Sequence, residues 1–154
     1  MNTINYIVVG LLSLSIVSCT GIYENGAELA ADSKAGVHQI EIGDLQTRIE
    51  NGGDYYLIDV RQPADYYTSS IPGSVLIPRG VLEFKIADTG FWSEQYIYPP
   101  EKDSEIIVYS SNGDSGILAA KSLMQLGYTK VYNLEGGYKA FNSTQDPGAV
   151  AVKP

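Results

Sequence analysis

Reactive side chains are scarce in this chain. Cys19 is its only cysteine and His38 its only histidine. One cysteine excludes an intrachain disulfide. Clustered positive charge is missing too. Ten Lys and Arg stand against 18 Asp and Glu, a formal net charge of −8, and the basic residues are scattered singly from Lys34 to Lys153. Contact with nucleic acid needs Lys and Arg gathered against phosphates, so no nucleic-acid partner is expected, and the acidity serves solubility. The apolar run Ile7 to Val17 falls short of the ~20 residues that span a bilayer.

What is present is a chain of 154 residues, 44% hydrophobic, which suits one globular domain. The run Ile7–Val17 has the length of a signal-peptide core. It leads into "SIVSC", which resembles a bacterial lipobox: aliphatic Ile16, small Ser18, then Cys19. Residues 1–18 are therefore expected to be a lipoprotein-type signal, cut before Cys19, which would carry the acyl chains. The leading "MNTINY" departs from such signals in having no Lys or Arg. The rest is then expected outside the cytoplasm, in the cell envelope, held at a membrane by lipid; inner or outer membrane is left open. Residues 19–36 are small and polar without sustained periodicity and read as the lipidated Cys and a tether with room for one helical turn. A domain over 37–142 and a tail over 143–154 complete the division.

Within the domain, short β-rich runs alternate with helical ones. "VHQI", "YYLIDV", "SVLIP", "EIIVYS" and "KVYNL" read as strands, and "YYLIDV" and "EIIVYS" have the continuous apolar character of strands buried on both faces. "IGDLQTRIEN", closed by Gly52–Gly53, "PADYYTSS", opened by Pro63, "RGVLEFKI", "SGILAAKSLMQLG" and "GGYKAF" read as helices. Gly90 to Asp103, with Phe91, Trp92, Tyr96 and Tyr98, reads as a loop holding a turn of helix, either covering the sheet or offering a recognition surface. The alternation implies a parallel central sheet of about five strands in a three-layer α/β/α domain. In such a sheet ligands bind at the carboxyl ends of the strands. The loop Ser110, Ser111, Asn112, Gly113, Asp114, Ser115, Gly116 falls there, between the most apolar strand and a helix. Its amides and the helix start make a small anion its natural ligand.

At these residues the chain resembles the rhodanese-like domains, the single-domain sulfurtransferase family. "LIDVRQPADYYTSSIPGSVLIPRG" is similar to the family's Asp-Val-Arg segment with its Ile-Pro-Gly turn, and "VYNLEGGYKAF" to the segment after its last strand. The resemblance runs from about Val37 to Phe141. It implies a catalytic cysteine opening a Cys-x-x-Gly-x-Arg loop. Aligned on Gly113, Ser110 takes the cysteine position and Ser115 the arginine position, while Ser70 stands where the family often has a histidine.

The chemistry implied by the resemblance passes sulfur through a cysteine persulfide, and the thiolate it needs is accessible because a thiol ionises near pH ~8.5 and lower at a helix start. A serine hydroxyl offers neither. Ser110 as a nucleophile in its own right needs an adjacent base, and no motif ties His38 to it. "SNGDSG" is not a Gly-x-Ser-x-Gly elbow. A phosphatase of this fold needs the same cysteine and an arginine that grips phosphate. Asp114 supplies a single carboxylate, too few for a metal site, so no metal and no cofactor are expected. Capping of the following helix by Ser115 or Asp114 is expected instead. Asp59 and Arg61 are expected at the pocket rim, with Arg61 bracing loops through carboxylates such as Asp65. The sequence reading is thus a rhodanese-like lipoprotein with no catalytic residue expected, a binding or regulatory module whose partners are the membrane through its lipid anchor and a protein or small anion at the loop. The alternative is an enzyme of the family with residual or altered activity.

Overall fold

The computed structural model describes residues 21–145. The expected signal, Cys19 and the end of the tail lie outside the described residues. Five strands, β1 (His38–Ile40), β2 (Tyr56–Asp59), β3 (Val75–Leu76), β4 (Glu105–Tyr109) and β5 (Lys130–Leu134), form one sheet in the order β1-β5-β4-β2-β3. Every pairing is parallel. Seven helices connect and cover it: α1 (Gly26–Ser33), α2 (Ile42–Asn51), α3 (Pro63–Thr68), α4 (Leu82–Lys85), α5 (Thr89–Glu94), α6 (Asp114–Gln125) and α7 (Gly137–Gln145). This is the three-layer α/β architecture that the alternation of the sequence implies.

β4 lies at the centre because it can be buried on both sides. Ile106, Ile107, Val108 and Tyr109 are all fully buried, and successive side chains alternate faces. Ile106 and Val108 join Ile58, Val60 and Val131 under one helical layer, with Ala30 of α1, Leu82 of α4, Trp92 of α5 and Leu123 of α6. Ile107 and Tyr109 join Leu57 and Leu134 under the other, with Leu45 of α2 and Phe141 of α7. At about 1.5–3 kcal/mol for each large apolar side chain fully buried, these two layers hold the sheet flat against its helices. Gly52 ends α2 in the left-handed region, φ 66°, where the expected glycine stop belongs.

Residues 26–36 differ from the expected tether. Asn25 caps α1, its side chain accepting from the Ala27 and Glu28 amides. A 3₁₀ turn over Lys34–Gly36 then carries the chain into β1. α1 packs on α6, with Ala30 fully buried. The contact runs through alanines (Ala30 against a layer that includes Ala119 and Ala120). Such small residues leave no strong amphipathic signature in a sequence.

Candidate functional site

The loop leaves β4 at Ser110, which is 3% exposed. Its hydroxyl is turned inward and accepts a hydrogen bond from the Gly113 amide at 3.1 Å. Gly113 adopts φ 100°, a conformation few residues other than glycine accept. The Asn112 amide donates to the Asp114 carboxylate at 2.9 Å. The cap expected from Ser115 or Asp114 is not formed: the residue before α6 is Gly113, and no side chain caps the helix start. Ser115 is exposed. Ser110 takes the local donor instead, because its Oγ lies inside the turn.

The start of α7 closes over this loop, an arrangement the sequence reading did not foresee. The Tyr138 amide donates to the Ser110 carbonyl at 2.8 Å and the Lys139 amide to the Ser111 carbonyl at 3.0 Å. Gly137 approaches so closely that a Cβ there would overlap the Ser110 carbonyl oxygen and lie 2.8 Å from the Gly113 nitrogen and 3.0 Å from that of Asn112. The signal for this clamp was the pair Gly136–Gly137 after the last strand, both with positive φ. Beneath the loop lies Asn133, 1% exposed. Its amide donates to Gln39 at 2.8 Å, and its Oδ1 has no hydrogen-bond partner. That oxygen occupies the place a Gly116 side chain would need.

Asp59 and Arg61 come together, but as a buried pair rather than an open rim. The Arg61 side chain donates to both Asp59 oxygens at 2.6–3.0 Å and to the Ser69 carbonyl at 2.7 Å. Asp65, expected as its partner, is not its ion pair. The chain turns at Val60 so that the Arg61 amide also donates to Asp59, at 2.8 Å. The guanidinium stacks on the Tyr138 ring at 4.1 Å and faces the Tyr109 ring at 5.5 Å. Burial alone would lower its pKa, and the bonds to Asp59 outweigh this and hold it above the ordinary value. Tyr109 receives the Ile71 amide on its hydroxyl and shares a bond with Ser74; burial first, with Asp59 beside it, pushes its pKa upward. Arg61 and Tyr109 thus tie the Ile71 turn, β4 and α7 together around the loop.

Beside Tyr138 runs an open groove of about 600 Å³. Ser70, Ile49, Phe141, Asn142 and Gln145 line it, and its only charged lining residue is Glu50. No positive side chain lines this groove. Among the described residues there is no group of three or more His, Cys, Asp or Glu placed to hold a metal, and no helix is long and apolar enough to cross a membrane.

A five-stranded parallel sheet under two helical layers, with a helix-opening loop at the carboxyl end of its central strand, defines a three-layer α/β domain whose candidate site lies at that loop. Residues 41–144 match the rhodanese-like domain, and the chain belongs to that family. A sulfurtransferase of Allochromatium vinosum is 28% identical over 105 residues, covering 68% of this chain and 88% of the relative. The solved structure of a human single-domain sulfurtransferase superposes with a TM-score of 0.66 at 24% identity, over 72% of this chain and all of that one. A Rhodopseudomonas palustris protein described as a possible tyrosine phosphatase gives 0.68 at 23% identity, over 82% and 96% of the two chains.

Proposed function

We propose that this chain is a rhodanese-like domain that does not transfer sulfur and acts as a binding or regulatory module, held outside the cytoplasm by lipid on Cys19. One observation carries the catalytic half: the oxygen at the position of the family's cysteine is a buried serine hydroxyl engaged by the Gly113 amide. A persulfide needs sulfur there, and a hydroxyl has no thiolate-like ionisation at neutral pH. Among the described residues no titratable side chain hydrogen-bonds Ser110 Oγ, so nothing activates it as a base would. His38 stands on β1, which β5 separates from β4. It also opens its strand, whereas Ser110 follows the end of β4. Phosphatase chemistry meets the same objection, since it uses the same cysteine and an arginine, and Arg61 is committed to Asp59.

Thiosulfate-to-cyanide sulfur transfer tests this reading, with the native chain assayed beside a Ser110→Cys, Ser115→Arg double variant. The native chain is expected to be silent and the variant to turn over. Turnover by the native chain would show that another nucleophile works and would end the proposal.

A further inference from the structure

Tyr96 has a backbone its side chain does not favour. α5 ends in a Schellman turn, with the Ile97 amide bonded to the Trp92 carbonyl and the Tyr96 amide to that of Ser93. The residue after the cap must then be left-handed, a place usually given to glycine. Here it is Tyr96 at φ 60°, the only residue other than glycine with positive φ among the described residues. No burial of the ring offsets the strain, because Tyr96 is 95% exposed. Strain that is not repaid inside the molecule points to a use outside it.

The surroundings say what kind of use. Tyr96, Ile97, Tyr98 and Pro99 edge an open groove of about 730 Å³ whose other side is formed by Thr89 and Ser93. Tyr98 is 88% exposed. The groove rests on a firm base, since Trp92 is fully buried with Tyr56 and Phe91 edge-on to it at 5.5 and 5.3 Å. The Tyr56 hydroxyl donates to the Tyr98 carbonyl at 3.1 Å. Its pKa is raised by burial first and then by the carboxylates of Asp54 and Glu101, and Glu101 follows Pro99, a residue of the groove edge, by two positions. Glu94 ends α5 two residues before Tyr96.

None of Asp54, Glu94 and Glu101 is in an ion pair among those found in the described residues. The neighbouring lysines are engaged: Lys85 with Asp88 at 2.7 Å, and Lys102 with the Leu126 carbonyl at 2.8 Å and the Tyr128 ring at 3.9 Å. Exposed rings beside unpaired carboxylates are complementary to cationic side chains.

We propose that this groove docks a basic, extended segment of a partner protein, its Lys or Arg side chains lying over Tyr96 and Tyr98 and facing Glu94 and Glu101. The proposal gives a partner chemistry to the binding module and rests on that reading. Its site is nevertheless separate, because Tyr98 is bonded to Tyr56 at the amino end of β2 whereas Ser110 follows the carboxyl end of β4.

The test is fluorescence anisotropy with the full chain in non-ionic detergent and a labelled ten-residue peptide of alternating Arg and Pro, beside a Glu-Pro counterpart. Saturable binding of the Arg-Pro peptide alone is expected. Tyr96→Gly should weaken it at least tenfold while raising Tm, because glycine relieves the left-handed turn. Tyr98→Ala should weaken binding without the gain in Tm. A Glu94→Gln, Glu101→Gln double variant should weaken it and flatten its salt dependence. Glu41→Gln with Asp44→Asn, at the start of α2 on the opposite helical layer, should leave it unchanged.

No saturable binding, equal loss from the remote pair, or full affinity in Tyr96→Gly would each overturn the proposal. So would binding to phosphatidylglycerol vesicles in place of the peptide. Sulfur-transfer silence is measured separately, so its failure and the failure of peptide docking are told apart.

Discussion

At position 137 a single methyl group decides whether the loop can hold its shape. Gly137 has φ 62°, and its missing Cβ leaves room for the Ser110 carbonyl and the Gly113 and Asn112 amides. Gly137→Ala therefore meets both a strained backbone and a backbone clash that no flexible side chain can relieve. A loss of about 3 kcal/mol is expected, measured as a lower urea midpoint. The neighbouring ion pair makes a second prediction. Asp59 is fully buried and Arg61 is 7% exposed; Asp59→Ala strands the guanidinium and should cost about 3–5 kcal/mol. Unfolding of that variant in urea checks it, and a change under 1 kcal/mol (order of magnitude) would mean the pair is dispensable. A family pattern has fixed spacing, so the sequence alone aligns Gly113 and, with it, the expected cysteine and arginine positions at Ser110 and Ser115. The partner of Arg61 was not legible. A strand end can send its next side chain outward toward Asp65 or back onto Asp59, and only the turn at Val60 decides between them.

The strands and most helices were readable as elements because each has one period and one terminator: continuous apolar runs for β2 and β4, Gly52 after α2, Pro63 opening α3. α1 was not, since its buried contact is made by alanine and its ends look like a linker. That difference is testable. In a free tether Ala30→Leu would be harmless, but in a docked α1 the added methylenes overpack the contact with α6 and should cost about 1–3 kcal/mol. A fall in Tm of several degrees in thermal denaturation is the expected readout. α5 carries a pH dependence of its own. Asp88 caps it, accepting from the Gly90 and Phe91 amides at 3.0 and 3.2 Å. The bond from Lys85 and those amides hold its carboxyl below the ordinary value of 3.8. A carboxylate depressed in the fold adds stability above its unfolded pKa and loses it as pH falls through the folded one. α5 should thus hold down to about pH 4 and weaken below it. The indole of Trp92, bonded to the Ile86 carbonyl at 2.8 Å, reports this by fluorescence, and Asp88→Asn should weaken the helix at neutral pH and flatten the acid-side change.

The docking of α1 changes the geometry of the proposed anchor. A tether over all of residues 19–36 would let the domain roam far from a membrane. With α1 beginning at Gly26 behind its Asn25 cap, only the few residues from Thr20 to Asn25 link Cys19 to the folded body. At ~3.3–3.6 Å per extended residue, their reach is at most about 20 Å. A lipid on Cys19 would therefore hold the helical layer of α1, α4, α5 and α6 close to the headgroups. Ile22, 97% exposed, lies within that short link. The same layer carries the groove of Tyr96 and Tyr98, so any partner reaching it would work at the membrane surface rather than at a distance from it. Anchoring is checked by growing a bacterium that expresses the full chain with radiolabelled palmitate and then separating membranes. The native chain is expected to take up label and sediment with the membranes. Cys19→Ser should lose the label and leave most of the protein soluble after cell lysis, because stable anchoring takes more than one acyl chain and the substitution removes every chain at once. An unlabelled native chain in the soluble fraction would end the anchored reading, while leaving the loop chemistry and the peptide groove to stand on their own measurements.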